Sequence, residues 1–215
     1  MRKRPDLGER RIEGALRALK HALDATRAPW MVIGGIAVIV QGVRRMTTDI
    51  DVAVRGDSLE LEPLVATLEK HRIVARIPEA VAFARAHLVL LLRHRPTGVD
   101  IDLSFAWTTF EYEALAACQR VRYGGVDVPL ARAEDLVIYK VVAGRPRDIE
   151  DARALLLLHD DVDLVRIRER VRELAALADA PELERNLRAV IVTTRPERQV
   201  RTQRMAKKAT KKRRR

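Results

Sequence analysis

A single cysteine, Cys118, stands in 215 residues. It cannot close an intramolecular disulfide, which excludes a disulfide-stapled scaffold and a thiolate metal cluster and fits a reducing cytosol. Aromatic residues make up only 4%, so Leu, Val, Ile and Ala must build the core. Long hydrophobic runs are missing too. Stretches such as Leu88 to Leu92 fall far short of the about 20 residues that a membrane-spanning helix needs. The N-terminus is charged with no apolar segment behind it, unlike a secretory signal. These absences lead us to expect a cytoplasmic protein with no membrane partner.

Basic charge gathers at one end of the sequence. Residues 201 to 215 contain nine basic side chains and no acid, which leaves +2 of the formal +11 for the first 200 residues. The globular part is nearly neutral and residues 196–215 read as a flexible basic tail. Lys207, Lys208, Lys211, Lys212 and Arg213 are its candidate contacts to RNA or DNA phosphates. No aromatic residue interleaves them, so such contact would be electrostatic rather than stacking.

The rest of the chain has ordinary globular proportions, 47% hydrophobic and 33% charged. Leu7, Ile12, Leu16, Leu19 and Leu23 recur at helical spacing, and Trp30 to Ile33 is a short apolar run ended by Gly34-Gly35. Ile36 to Gln41 reads as a short buried helix, and Asp49 to Val54 as a strand with one acidic face. Ser58 is placed to cap a helix to about Lys70, with Glu60 and Glu62 in its first turn. Strand-like runs follow at Arg72 to Ile77, His87 to His94 and Val99 to Phe105, the last two joined by the Pro96-Thr97-Gly98 turn.

Beyond residue 108 the pattern is mainly helical, at 109–118, 132–143, 147–158, 163–178 and 182–191. Short strands at Arg120 to Tyr123 and Val126 to Leu130 flank Gly124-Gly125. The expected architecture is α+β: a mixed-sheet lobe over residues 1–107, a helical lobe over 108–195, and the basic tail.

Two acidic pairs carry the chemistry. Asp49 and Asp51, two residues apart on a strand, share a face with Cα atoms about 6.6 Å apart. Their carboxylates can converge on the hard cation Mg²⁺, or on the metal pair of a phosphoryl displacement. Asp100-Ile101-Asp102 repeats the pattern on a second strand. Brought side by side, these carboxylates would repel unless cations neutralised them. Gly34-Gly35, between a strand and a helix, would let a phosphate approach the backbone. A single Asp-x-Asp is commonly no more than a solvated strand face, so the reading rests on the combination. The five histidines show no ligand spacing.

Together, Val32-Ile33-Gly34-Gly35, thirteen residues and Asp49-Ile50-Asp51 resemble the signature of the nucleotidyltransferase superfamily. Arg45, with Thr47 or Thr48 before Asp49, adds to the likeness. So do Glu134-Asp135-Leu136 through Lys140, and the segment Arg145-Pro146-Arg147-Asp148-Ile149-Glu150-Asp151. Over residues 28 to 158 these resemble the AbiEii-type branch, whose members are abortive-infection toxins. The resemblance implies that Asp49, Asp51 and Asp102 hold Mg²⁺ and catalyse transfer of a nucleotidyl group from an NTP to an acceptor hydroxyl. Asp102 is favoured over Asp100 because Ile101-Asp102-Leu103-Ser104 matches the related pattern and lies further from the turn.

Gly34, Gly35, Arg45, Thr48, Lys140 and Asp148 become nucleotide-binding candidates, with Lys140 on the triphosphate and Asp148 or Asp151 orienting it or the acceptor. A toxin role implies an antitoxin protein as partner and an RNA end, such as that of tRNA, as acceptor. Read from the bare sequence, Lys140 is a surface lysine snorkelling off an apolar helix. Gly35 stands where many superfamily members carry serine, and the lost hydroxyl supports the alternative of a non-catalytic nucleotide- or nucleic-acid-binding module.

Removal of residues 201 to 215 is expected to weaken RNA binding and flatten its salt dependence, because nine counterion-releasing charges leave with them. Filter binding across a salt series measures the slope. An unchanged slope of log K against log salt would reduce the tail to a solubilising extension.

Overall fold

The computed structural model describes residues 7–57 and 59–194. The basic tail, and Ser58 as a helix cap, lie outside the described residues. Two compact units divide the chain, Met1–Arg132 and Ala133–Arg215.

In the first unit, α1 (Leu7–Thr26) is followed by β1 (Trp30–Ile33), α2 (Gly34–Val40), β2 (Asp49–Arg55), α3 (Leu61–Lys70), β3 (Ile73–Ala75) and α4 (Ala80–His87). Then come β4 (Val89–His94), β5 (Val99–Ala106), α5 (Thr109–Ala116), β6 (Gln119–Tyr123) and β7 (Val126–Leu130). All seven strands join one mixed sheet in the order β3-β4-β5-β2-β1-β7-β6. β2 and β5 run parallel, as do β1 and β7; the remaining neighbours are antiparallel.

Alternation along β5 buries Val99, Ile101 and Leu103 and leaves Asp100, Asp102 and Ser104 half-buried, the pattern of a sheet with one dry face. Ile50, Val52 and Val54 do the same for β2. The helical stripe of α1 buries Leu16, Leu19 and Leu23, and this helix packs on α3, β2, β5 and β7. Arg11 Nε of α1 donates to the Thr97 carbonyl at 2.6 Å, tying the helix to the β4–β5 turn. Gly124 and Gly125 both adopt positive φ, the conformation that a two-residue hairpin requires and that side chains resist.

Three expectations need correction. The sheet-bearing unit reaches Arg132 rather than residue 107, because β6 and β7 join the sheet beside β1. Glu60 is the residue preceding α3, not part of its first turn. Finally, α4 appears between two expected strands, in a segment to which no element was assigned, and takes in His87 from the start of the second. Its Ala-rich sequence is a strong helix former, and Ala80 and Ala84, one turn apart, are the residues it buries.

The second unit holds α6 (Ala133–Ala143), α7 (Pro146–Leu158), α8 (Leu164–Leu177) and α9 (Glu182–Thr194). Leu136, Val137, Ile138 and Val141 are fully buried, so α6 is apolar nearly all round, as a central helix must be. Two ion-pair clusters lie among these helices. Asp135, wholly buried, meets Arg166 Nη1 at 2.7 Å and links α6 to α8. Lys140 Nζ lies 2.7 Å from Asp148 and 3.3 Å from Asp151, linking α6 to α7. Burial pushes the Asp148 carboxyl up, but hydrogen bonds from Lys140 and Arg145 outweigh it and hold the group below its usual range.

Lys140→Ala should cost about 3–5 kcal/mol of stability, because it strands two buried carboxylates. Arg145→Ala, whose side chain is largely exposed, should cost about 1 kcal/mol or less. Urea unfolding of both variants measures the difference, and equal losses would contradict the structural account of Lys140.

Candidate active site

Asp49 opens β2, and Asp51 follows on the same face. β5 lies parallel alongside, in a register that pairs Asp49 with Asp100 and Asp51 with Asp102. Neighbouring strands are about 4.8 Å apart. Two rungs of paired carboxylates therefore meet at the start of both strands. On the other side of β2, Ile33 pairs with Asp51, which brings the end of β1 and the following glycines to the same place.

The glycines are required by contact as well as by conformation. Gly34 has φ +62, and a Cβ there would fall 1.8 Å from Asp51 Oδ2. Gly35 N–H donates to that same oxygen at 3.4 Å. A Cβ on Gly35 would come within 2.4 Å of Thr47 Oγ1 and 3.2 Å of Arg45 Nη2. The space that a serine at 35 would use is thus taken by Thr47, whose hydroxyl donates to Asp49 Oδ1 at 2.6 Å.

Arginines supply the neutralising charge beside the second pair. Arg93, across the β4–β5 hairpin, donates to both oxygens of Asp100 at 2.6 and 3.2 Å. Arg76, just past β3, donates to Asp100 Oδ2 at 3.0 Å and also to Asp102. The two carboxyls respond differently. The hydrogen bond from Arg93, with help from Arg76, holds Asp100 below the usual carboxylate range. Burial, reinforced by the neighbouring charges of Asp49 and Asp100, lifts Asp102 above it despite Arg76.

A pocket of about 300 Å³ opens here, lined by Asp49, Asp100, Asp102, Arg76, Thr47 and Thr48 among others. The donor set consists of hard carboxylate oxygens, which suits Mg²⁺ rather than a thiolate-seeking ion. Among the described residues no group of three or more His, Cys, Asp or Glu is drawn together tightly enough to hold a metal. Arg76 and Arg93 hold Asp100 and Asp102 instead. Asp49 and Asp51 fit a divalent cation by donor type and spacing, and Asp102 fits once Arg76 gives way.

The remaining candidates fall in different places. Thr48 is exposed on the pocket wall, and half-buried Arg45 reaches toward Gly35. Lys140 and Asp148 lie in the second unit, buried against each other. Lys140 is only 7% exposed, so it is not the snorkelling surface lysine of the bare sequence reading. The basic candidates Lys207 to Arg213 lie outside the described residues. Arg76 and Arg93 were missed, although counting back from the Pro96-Thr97-Gly98 turn already sets Arg93 opposite Asp100. For Arg76 the sequence offers no signal.

A family model described as a nucleotidyltransferase of unknown function, DUF6036, matches residues 10–204. The chain belongs to this nucleotidyltransferase family. No curated protein matches it. Among solved structures it is similar to the antibiotic-resistance factor ANT(2'')-Ia, with TM-score 0.55 and 18% identity over 77% of this chain and 93% of that one. It is also similar to an antigenic nucleotidyltransferase-like protein from Paracoccidioides brasiliensis, with TM-score 0.48 and 18% identity over 83% and 92% of the two chains. At such identities the likeness to ANT(2'')-Ia speaks for the fold. Membership is therefore established at the level of a nucleotidyltransferase family, not of the AbiEii branch. In this nucleotidyltransferase no described helix is long and apolar enough to cross a membrane.

Gly34→Ala is expected to force a side chain into left-handed backbone and against the Asp51 carboxylate, at a cost of about 1–3 kcal/mol. Thermal unfolding measures the loss. A variant as stable as the parent would show that Asp51 is not pinned by the missing side chain.

Proposed function

We propose that this nucleotidyltransferase moves a nucleotidyl group from an NTP to an acceptor hydroxyl in a Mg²⁺-dependent reaction, at the site built by β1, β2 and β5. The register that sets Asp51 beside Asp102, with Gly34 against Asp51, is the observation that supports it. Asp49 and Asp51 would hold the metal, together with Asp102. A bound divalent cation supplies charge neutralisation for the triphosphate and the departing pyrophosphate.

The acceptor oxygen attacks the α-phosphorus, the bond from that phosphorus to the bridging oxygen breaks, and pyrophosphate leaves with the bond's electrons. The hydroxyl proton passes to Asp102. The phosphates would meet the backbone of Gly34 and Gly35, whose missing side chains admit Asp51 and Thr47, with Thr48 on the pocket wall and Arg45 adding a positive charge. The Thr47 hydroxyl orients Asp49 and stands where a serine at position 35 would have placed one. Lys140 and Asp148 hold the second unit together in this reading, and a phosphate contact by Lys140 would first require its two carboxylates to release it.

The acceptor we assign is an RNA 3′ end, since the basic residues 201–215 offer phosphate contacts. The AbiEii-like motifs extend this to a toxin restrained by an antitoxin. Purified protein incubated with Mg²⁺, each labelled NTP in turn and total RNA should label the RNA and release pyrophosphate. Asp51→Asn should lower the rate by on the order of 10²-fold or more while keeping the fold, because it removes a charge contact realised in the transition state. Full activity in Asp51→Asn would overturn the site, and labelling that needs no RNA would overturn the acceptor.

A further inference from the structure

Among the described residues, Arg76 is the side chain that bridges the two members of the second acidic pair. Its two links are not equivalent. Asp100 has a second guanidinium, Arg93, on both of its oxygens, whereas among the described residues Asp102 is hydrogen-bonded by Arg76. Withdrawal of Arg76 would leave Asp100 paired and expose only Asp102. The guanidinium is also incompletely satisfied, since its Nε is buried with no hydrogen-bond partner. Such a donor carries an uncompensated desolvation cost. Its backbone, in contrast, is fixed by the hydrogen bond from Arg76 N–H to the Leu91 carbonyl at 2.9 Å. The side chain lines the pocket that Asp49 also borders.

From this we infer that Arg76 is the resident counter-ion of the acidic site, competing with the divalent cation for Asp102 and displaced from it when the cation binds. The inference rests on the metal reading given above. Two positive groups cannot share the same carboxylate oxygens at close range without repulsion, so binding of one excludes the other. The released guanidinium then faces the pocket, where its fork of donors matches phosphate oxygens. Arg76 would thus offset the charge of Asp102 until the cation takes its place. It is a positioning residue, and its signature is a change in metal affinity that needs no turnover.

The test uses the full chain and Mn²⁺ alone, titrated by the loss of its free-ion electron paramagnetic resonance signal. Arg76→Met should bind Mn²⁺ about tenfold or more tightly than the parent, the scale of one charge-assisted hydrogen bond removed from the competition. Arg76→Lys keeps the charge but cannot bridge both carboxylates, and should fall between. Arg93→Met removes the same charge from Asp100 and should change Mn²⁺ affinity far less. In the unaltered protein, saturating Mg²⁺ should shift the Arg76 Nε–H nuclear magnetic resonance signal, which tests the displacement even if a variant does not fold.

Equal Mn²⁺ affinity in the parent and Arg76→Met, with binding lost in Asp51→Asn, would overturn the role of Arg76 and leave the metal site standing. Equal tightening in Arg76→Met and Arg93→Met would also overturn it, reducing the effect to general charge. An Arg76 signal unmoved by saturating Mg²⁺ would do the same. Absence of Mn²⁺ binding in every protein would overturn the metal site, and this inference with it.

Discussion

Repulsion between carboxylates held side by side is the constraint on which the sheet-bearing unit turns. Parallel pairing of β2 with β5 fixes Asp49 against Asp100 and Asp51 against Asp102, and strand spacing prevents their moving apart. Something positive must stand among them. That role falls to Arg76, just past β3, and to Arg93 of β4. The order β3-β4-β5-β2 is therefore more than a way to bury Val, Ile and Leu, because it brings the guanidiniums to the acids.

A second consequence concerns asymmetry. Two arginines hold the Asp100 carboxyl below the usual carboxylate range, whereas burial and the neighbouring charges of Asp49 and Asp100 lift Asp102 above it despite Arg76. Chemically alike and two residues apart, they differ in their partners: Asp100 meets both Arg76 and Arg93, and Asp102 meets Arg76. The second unit solves the same electrostatic problem in the opposite way. Lys140 with Asp148 and Asp151, and Arg166 with Asp135, are closed, buried pairs that link helices. Breaking such a pair costs more than forming it gains, whereas the Arg76–Asp102 pair borders an open pocket.

Gly34 and Gly35 show how one local feature serves both fold and chemistry. Positive φ at Gly34 turns the chain from β1 into α2, and the missing side chain leaves room for the Asp51 carboxylate. Thr47, arriving from the segment before β2, fills the space beside Gly35 and bonds Asp49. Where many superfamily members carry serine, this chain sets the Thr47 hydroxyl beside Gly35.

By itself the sequence determined most of the elements and the acidic face. Period-two alternation at Asp49 to Val54 and Val99 to Phe105 put the carboxylates on one side of each strand, and short-range geometry is enough for that. The Pro96-Thr97-Gly98 turn likewise fixed the β4–β5 hairpin. Strand order is a different matter, because it depends on contacts between residues distant in the chain. Hence β6 and β7 joined a sheet that the sequence reading had closed at residue 107, and Arg76 reached Asp102 across 26 positions without any local pattern to announce it. The burial of Lys140 was hidden for the same reason. A lysine among apolar residues looks the same in sequence whether its ammonium reaches water or two carboxylates of the next helix, and only packing decides between them.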